Sequence, residues 1–300
     1  MVKRAEAVTR QTTGDRVFEW VNYMLLAIIL LMIIYPLLFV ISASISNPQE
    51  VNSGNMWLLP KDITFIGYQK IFQNKEILNG YLNTILYTTL GTSINLVMTI
   101  LAAFPLSRKN LAGKNVIMAM FVFTMFFSGG LIPSYMLVKN LGMLNTVWAL
   151  VIPSAVSVWN IIIMRTFFQQ SIPSEIHEAA AMDGSSDFHM LLKVILPLSM
   201  PILAVMTLFY SVAHWNSYFN ALIYLTDQDR FPLQLILREI LVQNQMEQMS
   251  ESSDALTDQI LYAQTIKYAV IIVANLPVLM LYPFLQKYFT KGIMIGAVKG

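Results

Sequence analysis

The chain has 300 residues, of which 56% are apolar and only 12% are charged, and its mean hydropathy is +0.59. An average soluble domain carries about 25% charged residues, so the composition excludes a soluble globule and predicts an all-α protein that crosses a membrane several times. A net charge of +2 without a basic block gives no reason to expect nucleic acid as a partner. The lack of cysteine excludes disulfides and thiolate chemistry, and three scattered histidines predict no metal site.

Six segments are apolar and long enough to cross a bilayer, which takes about 20 residues. In chain order they are residues 18–41, 81–106, 115–137, 147–167, 195–224 and 267–286. The first exceeds a signal-peptide core of about 7–15 residues and lacks a small-residue cleavage site, so we expect it to be retained. Gly129, Gly130 and Pro133 interrupt the third, and a kink is favoured there over a gate.

The distribution of lysine and arginine predicts the orientation of these spans. Basic residues gather in the lead 1–17, in the loop after the second span, and in the tail 287–300, which six spans place on one side. Both termini are therefore predicted to be cytoplasmic, and the long loop, residues 226–266, to lie outside. The predicted domains are the cytoplasmic lead 1–17, the transmembrane domain 18–286 and the cytoplasmic tail 287–300.

The loop of residues 168–194, here named the acidic loop, is cytoplasmic by the same count yet carries four carboxylates and one lysine. Pro173 followed by three alanines predicts a short helix, and Gly184 suits the left-handed residue that ends it. One of Ser185, Ser186 or Asp187 then caps a second helix. A small-residue helix with carboxylates can approach another protein closely. The alternative, a helix lying on lipid headgroups, is disfavoured because such helices are rich in lysine and arginine.

The sequence EAAAMDG, followed after nine residues by VILP, resembles the EAA signature of ABC importer permeases and departs from it only at Val194. The segments GGLIPSYMLVKNLGMLNT (129–146), HWNSYFNALIYL (214–225) and KYFTKGIMIGAVKG (287–300) are similar to the carbohydrate branch, namely its MalG-type second permease. Within that branch the chain resembles importers of oligosaccharides from complex polysaccharides, including the alginate importer. The resemblance implies a type I ABC importer permease fold with six transmembrane helices in the bacterial cytoplasmic (inner) membrane.

The same resemblance implies partners and contact residues. The expected partners are a homologous second permease, a dimer of ATPase subunits, an extracytoplasmic sugar-binding protein and membrane lipid. The acidic loop would be the coupling helix that sits in a cleft of the ATPase, with Glu178 forming a salt bridge there. The tail would reach between the ATPase subunits, and the long loop would enter the sugar cleft of the binding protein. The residues so implied are Glu178, Ala179, Ala180, Asp183 and Gly184 for ATPase docking, and Gly292, Gly296 and Lys299 for the tail contact.

The chain contains no G-x-x-x-x-G-K-[ST] motif, so it is predicted to bind no ATP through a P-loop and to take its driving force from a partner. ATP and magnesium would be bound by the partner ATPase, and we expect no cofactor, metal or catalytic residue in this chain. The alternatives are a permease for another solute class and an ion-coupled secondary transporter. The second is disfavoured because the spans contain almost no ionisable residues of the kind that couple ions. A membrane enzyme would need a clustered catalytic set, and none is visible.

Polar and aromatic side chains inside spans are costly and often line a transport path. A sugar binds to flat aromatic faces and fixed amides, so Trp215 and Asn216 form the best-shaped pair. Interhelical packing bonds and aromatic belts at the membrane surface are the alternative roles of such residues. The candidates for the path are Asn95, Asn160, Tyr210, Trp215, Asn216 and Tyr218.

Overall fold

The computed structural model describes residues 12–249, 265–281, 283 and 286, and every regular element within these residues is helical. The chain divides into two compact units. One comprises residues 1–70 and 253–272, and the other comprises residues 71–252 and 273–300. The predicted all-helical fold is confirmed for the described part.

The first unit contains the long helix α1, Thr13–Ser44, at the position of the first predicted span. Its N-terminus is closed by a capping box, in which the Thr12 hydroxyl accepts from the Asp15 backbone N–H and the Asp15 carboxylate accepts from the Thr12 backbone N–H. Such reciprocal bonds satisfy two backbone donors that the helix itself leaves free. The apolar side chains of α1 are exposed along nearly its whole length, as expected of a helix that faces lipid or another subunit.

After α1 come the short helices α2, Pro48–Asn52, and α3, Ile66–Gln73. Close to the end of α1, the Tyr68 hydroxyl donates to Ser44 Oγ at 2.8 Å. Phe39 and Tyr268 meet edge to face with ring centroids 5.9 Å apart. These contacts fasten the end of α1 within its own unit.

The second unit is built around α4, Lys75–Ser107, which spans the second predicted segment and begins with an Asn74 cap on the Ile77 N–H. Four helices pack on it: α7 (Val147–Val151), α8 (Val158–Ser171), α12 (Met200–Trp215) and α14 (Leu233–Met249). Its C-terminal carbonyls accept hydrogen bonds from α8, because Arg165 Nε donates to Leu106 O at 3.0 Å and Gln169 Nε2 donates to Ser107 O at 3.4 Å. The helix α4, on which the other four pack, therefore also has hydrogen-bonded carbonyl groups at its C-terminal end.

Two predicted spans are broken by sharp bends. The third consists of α5, Lys114–Phe126, and α6, Leu131–Asn140, which meet at 110° where Gly130 adopts a φ of +84°. This bend corrects the expectation of a kinked single helix, because a kink keeps the helix direction roughly constant and a bend of 110° does not. In the fifth, the segment Asp187–Leu198 meets α12 at 84°.

The segment Asp187–Leu198 contains α10 (Asp187–Met190), a π-helical turn (Leu191–Ile195) and α11 (Leu196–Leu198). Pro197 and Pro201 lack backbone N–H groups on either side of the bend, so helical hydrogen bonding cannot run through it. After α12 follow α13 (Phe219–Tyr224), a 3₁₀ turn (Gln228–Arg230) and α14. The fourth predicted span is likewise interrupted between α7 and α8.

Among the described residues, two helices, α1 and α4, are long and apolar enough to cross a membrane by themselves, and up to four spans result if each bent pair counts as one. A shorter apolar helix, α15, Thr265–Leu281, occupies the sixth predicted segment. The segment PLQLILREILVQ (232–243), in which apolar residues repeat at helical spacing, falls almost entirely within α14. The count of six spans stays a prediction.

Candidate functional site

The first helix of the acidic loop is α9, Ser174–Met182, and it ends as the sequence predicts. Gly184 has a φ of +70°, and the Ser185 backbone N–H donates to Ala180 O at 3.0 Å. This six-to-one bond after a left-handed glycine is the Schellman termination, which a residue with a side chain adopts only with strain. A Cβ atom placed on Gly184 would meet no atom of this chain within 4 Å. The space beside Gly184 is therefore open to another molecule.

The second helix of the acidic loop, α10, is capped at its N-terminus by one of the three predicted residues. Ser186 Oγ accepts from the His189 backbone N–H at 3.2 Å, so Ser186 is the capping residue. The predicted docking residues do not all face the same way: Glu178, Ala179, Asp183 and Gly184 are exposed, whereas Ala180 packs on the core. Met182, between them, is 86% exposed.

Arg108, which sequence analysis used only as evidence of orientation, joins the acidic loop to α4. It is the residue that ends α4, and its Nη1 donates to His177 Nδ1 at 2.5 Å. Its Nη2 lies 3.4 Å from Asp187 Oδ1, and Nη1 lies 3.7 Å from Met190 Sδ. One guanidinium thus contacts both helices of the acidic loop. The sequence signal was a group of basic residues directly after a long span, which cannot reveal a partner 69 positions away.

The tautomer of His177 follows from this contact. Arginine can only donate hydrogen bonds, so Nδ1 is the acceptor and the proton of the neutral ring is on Nε2. Burial lowers the pKa of His177, the positive charge of Arg108 lowers it further, and the Asp187 carboxylate opposes them. Between α9 and the end of α4 lies a cleft of about 640 Å³, whose lining includes Arg108, Lys109, Glu175, His177 and Glu178.

Inside the membrane-spanning region, a chain of hydrogen bonds ties α4 to its neighbours. Asn95 is 1% exposed; its Nδ2 donates to Ser154 O, in the break between α7 and α8, at 2.6 Å. Its Oδ1 accepts from His214 Nε2 of α12 at 2.6 Å. One turn further along α4, Thr99 Oγ1 and the Tyr210 hydroxyl are 2.6 Å apart. Asn95 and Tyr210, two of the predicted path residues, therefore make interhelical bonds in this conformation.

The other predicted path residues lie around the ends of α8 and α12. Trp215 is 4% exposed and donates its indole N–H to Ala274 O at 2.8 Å. Asn160 is buried in the first turn of α8. Asn216 and Tyr218 are exposed beyond the end of α12, and Tyr218 is 41% exposed. Four of the predicted path residues are thus buried, and two, Asn216 and Tyr218, are exposed. That any of them lines a transport path stays a prediction.

The exposed pair lies beside the helix α14. The guanidinium of Arg238 is 5.4 Å from the centroid of the Tyr218 ring, and Gln234 Nε2 approaches Asn216 Oδ1 at 3.5 Å. Within the described residues Arg238 makes no ion pair with a carboxylate. The aromatic face of Tyr218, the amides of Asn216 and Gln234 and the cation of Arg238 therefore come together. No local sequence pattern shows this combination, because α14 meets Asn216 and Tyr218 only in the folded chain.

The start of α14 is held firmly on α4. The Leu233 backbone N–H donates to Thr84 Oγ1 at 2.8 Å, and Asn83 Nδ2 donates to Asp229 O at 2.7 Å. The Tyr87 hydroxyl donates to Arg230 O at 2.9 Å. The first part of the long loop is therefore an ordered extension of the helical core. The tail residues Gly292, Gly296 and Lys299, and residues 250–264 of the long loop, lie outside the described residues.

Residues 81–295 match the family described as "Binding-protein-dependent transport system inner membrane component". The chain belongs to this family. The match covers the helices that build the core and the whole acidic loop, so the loop described above is part of the family's shared region. The predicted resemblance to ABC importer permeases is thereby confirmed, as is the inner membrane as the site of a multi-pass protein.

Relatives within the family are similar over nearly the whole chain. The "Polygalacturonan/rhamnogalacturonan transport system permease protein YtcP" of Bacillus subtilis (strain 168) is 40% identical over 95% of this chain and 99% of the relative. "Protein LplC" of the same organism is 38% identical over 96% and 97%. A chain of a bacterial ABC transporter "involved in the import of the acidic polysaccharide alginate" has a TM-score of 0.84 and 34% identity, over 94% of this chain and 99% of that one. The predicted similarity to the alginate importer is confirmed.

Proposed function

We propose that this chain is a permease subunit of an ABC importer that moves oligosaccharides into the cytoplasm, driven by ATP hydrolysis in a separate ATPase subunit docked on the acidic loop. The observation that carries the proposal is the exposed end of α9, with Glu178, Ala179 and Gly184 around an open surface. The proposal includes six spans, both termini in the cytoplasm, a second permease and an extracytoplasmic sugar-binding protein. Membership of a binding-protein-dependent transport family supports these partners.

The class of oligosaccharide that we propose is one whose sugars carry carboxylates. Two relatives support it by their names, one for polygalacturonan and rhamnogalacturonan and one for the acidic polysaccharide alginate. In this chain, Arg238 beside Tyr218 is an exposed cation next to an aromatic face, and guanidinium groups bind carboxylates through paired hydrogen bonds. The neighbouring Glu239 carboxyl has a pKa raised by burial and by Glu76, while the positive charge of Arg238 opposes that shift.

The experiment is reconstitution of the chain with a second permease, an ATPase and a binding protein, all supplied by co-expression. The chain should co-purify with the ATPase, and uptake of galacturonate or alginate oligosaccharides into vesicles should require ATP. Uptake that persists without the ATPase but follows an ion gradient would instead establish a secondary transporter. Uptake of neutral oligosaccharides in preference to acidic ones would overturn the proposed substrate class alone.

A further inference from the structure

We propose that Arg108 is the positioning residue that transmits movement of the acidic loop to the membrane-spanning core, and that its bond to His177 makes this transmission dependent on pH. The inference rests on the proposed docking of an ATPase on the acidic loop. It concerns the contacts between the docking surface and the core, through which a displacement of α9 and α10 would be passed to α4.

With a single side chain, Arg108 reaches three elements. It ends α4, it donates to His177 of α9, and it contacts Asp187 and Met190 of α10. Its guanidinium also lies 5.7 Å from the centroid of the Phe104 ring, which belongs to the buried core. Because a planar guanidinium has five donors in a fixed fork, it can hold both helices in one geometry, which a lysine ammonium cannot do.

The surroundings of Arg108 leave room for movement. The cleft of about 640 Å³ lies on the α9 side, and a second cleft of about 600 Å³ lies on the α10 side, lined by Phe104, Leu111 and Phe188. Apolar side chains of the acidic loop, namely Ile176, Ala180 and Met190, pack in the core cluster that also contains Phe104 and Leu106 of α4. Arg108 adds a polar connection between the acidic loop and α4. A tilt of α9 would stretch or break its hydrogen bond to His177.

The bond to His177 gives the connection its pH dependence. Neutral His177 accepts from Arg108, whereas protonated His177 has no acceptor at Nδ1 and repels the guanidinium. The pKa of His177 in the folded chain is lowered, so the bond is complete at neutral pH and is lost only as the pH falls through that lowered pKa, below the ordinary imidazole value of about 6.5. The charged groups around His177 are Arg108 on α4, Lys109 beside the cleft, Asp187 on α10, and Glu175 and Glu178 on its own helix.

The test measures the coupling ratio, that is, oligosaccharide transported per ATP hydrolysed, in the reconstituted complex at about pH 7.5 and at the lowest pH at which the complex stays assembled. Arg108→Gln should lower this ratio about fivefold or more at both pH values while the ATPase still co-purifies. Lys109→Gln is the matched control: it removes the same charge one residue away, from a side chain without these contacts, and should stay within about twofold of wild type. A wild-type ratio in Arg108→Gln would overturn the proposal.

His177→Asn tests the pH dependence separately, because Asn Oδ1 takes the position of Nδ1 and does not titrate. The wild-type coupling ratio should fall between the two pH values, and that of His177→Asn should stay constant. An equal fall in both proteins would refute the role of His177. Arg108→Lys should give a coupling ratio between those of the wild type and Arg108→Gln. It provides the test if Arg108→Gln does not assemble. Failure of the wild-type chain to bind an ATPase would instead refute the proposed function.

Discussion

His214 donates a hydrogen bond from Nε2 to the Oδ1 atom of Asn95 at 2.6 Å, and its ring lies directly against the backbone of Gly91. A Cβ atom on Gly91 would lie 2.5 Å from His214 Cε1, a distance that real Cβ atoms do not show. Gly91 is thus required for the close approach of α12 to α4. Through Asn95 the same contact reaches Ser154 in the break between α7 and α8, so three elements depend on it.

Gly91→Ala should displace the His214 ring and lower the free energy of unfolding by about 1–3 kcal/mol, the usual cost of overpacking. The measurement is the midpoint of thermal unfolding of the purified chain in detergent. His214→Ala alone removes the bond to Asn95 and should also destabilise. The double variant Gly91→Ala with His214→Ala should be no less stable than His214→Ala alone, because the clash has gone. Additive losses in the double variant would contradict the contact.

Glu178→Lys should weaken binding of the ATPase by about 2–5 kcal/mol, because an interface arginine would lose its carboxylate and meet a like charge. Glu175→Lys is the matched control: it makes the same charge change three residues earlier, on the same exposed helix and at the same cleft. The measurement is retention of the ATPase during co-purification at increasing salt. Equal losses in the two variants would indicate a general effect of charge and would remove Glu178 from the docking residues.

Gly184→Ala and Gly184→Asp separate backbone strain from a clash with the partner. Both variants must adopt a φ of +70°, which costs an alanine about 1 kcal/mol and an aspartate less, since aspartate tolerates this region better. Neither side chain meets an atom of this chain at its Cβ. If a partner fills the open space, Gly184→Asp should lose ATPase binding more than Gly184→Ala although it is the less strained. The opposite order would show that only the helix end matters.

The orientation of the chain in the membrane can be tested with single introduced cysteines, because the chain contains no cysteine that would react as well. Gln228→Cys, in the exposed start of the long loop, should react with an impermeant thiol reagent added to intact cells. Asn110→Cys, in the exposed connection between α4 and α5, should react only after the membrane is opened. The two sites lie near opposite ends of α4. The reverse labelling pattern would place the acidic loop outside and end the docking hypothesis.

Arg238→Gln should lower uptake of uronate oligosaccharides by about tenfold or more, the effect of losing a hydrogen bond to a charged group. Uptake of the same oligosaccharides after chemical reduction of their carboxyl groups serves as the control and should be unchanged by the substitution. The measurement is initial uptake into vesicles at a fixed concentration of loaded binding protein. A parallel loss with both sugars would assign Arg238 to the packing of α14 on Tyr218 rather than to substrate.

The sequence alone determined those features that local chemistry controls. Apolar runs predicted where helices lie, Gly184 predicted how α9 ends, and the spacing of EAAAMDG and VILP identified the family. Each depends on residues within a few positions of one another: a left-handed backbone favours glycine because glycine has no Cβ atom. The helical start of the long loop was predictable for the same reason, since its apolar residues repeat with the period of a helix.

Only the tertiary structure decided which distant residues meet and how the spans bend. Arg108 and His177 are separated by 69 positions and Asn95 and His214 by 119, so no local pattern contains either pair. The bends of 110° and 84° follow from helices that end at glycine or proline and then turn to pack on α4. Glycine and proline show that a helix can end there, but the direction in which the chain continues is set by the surface it packs against.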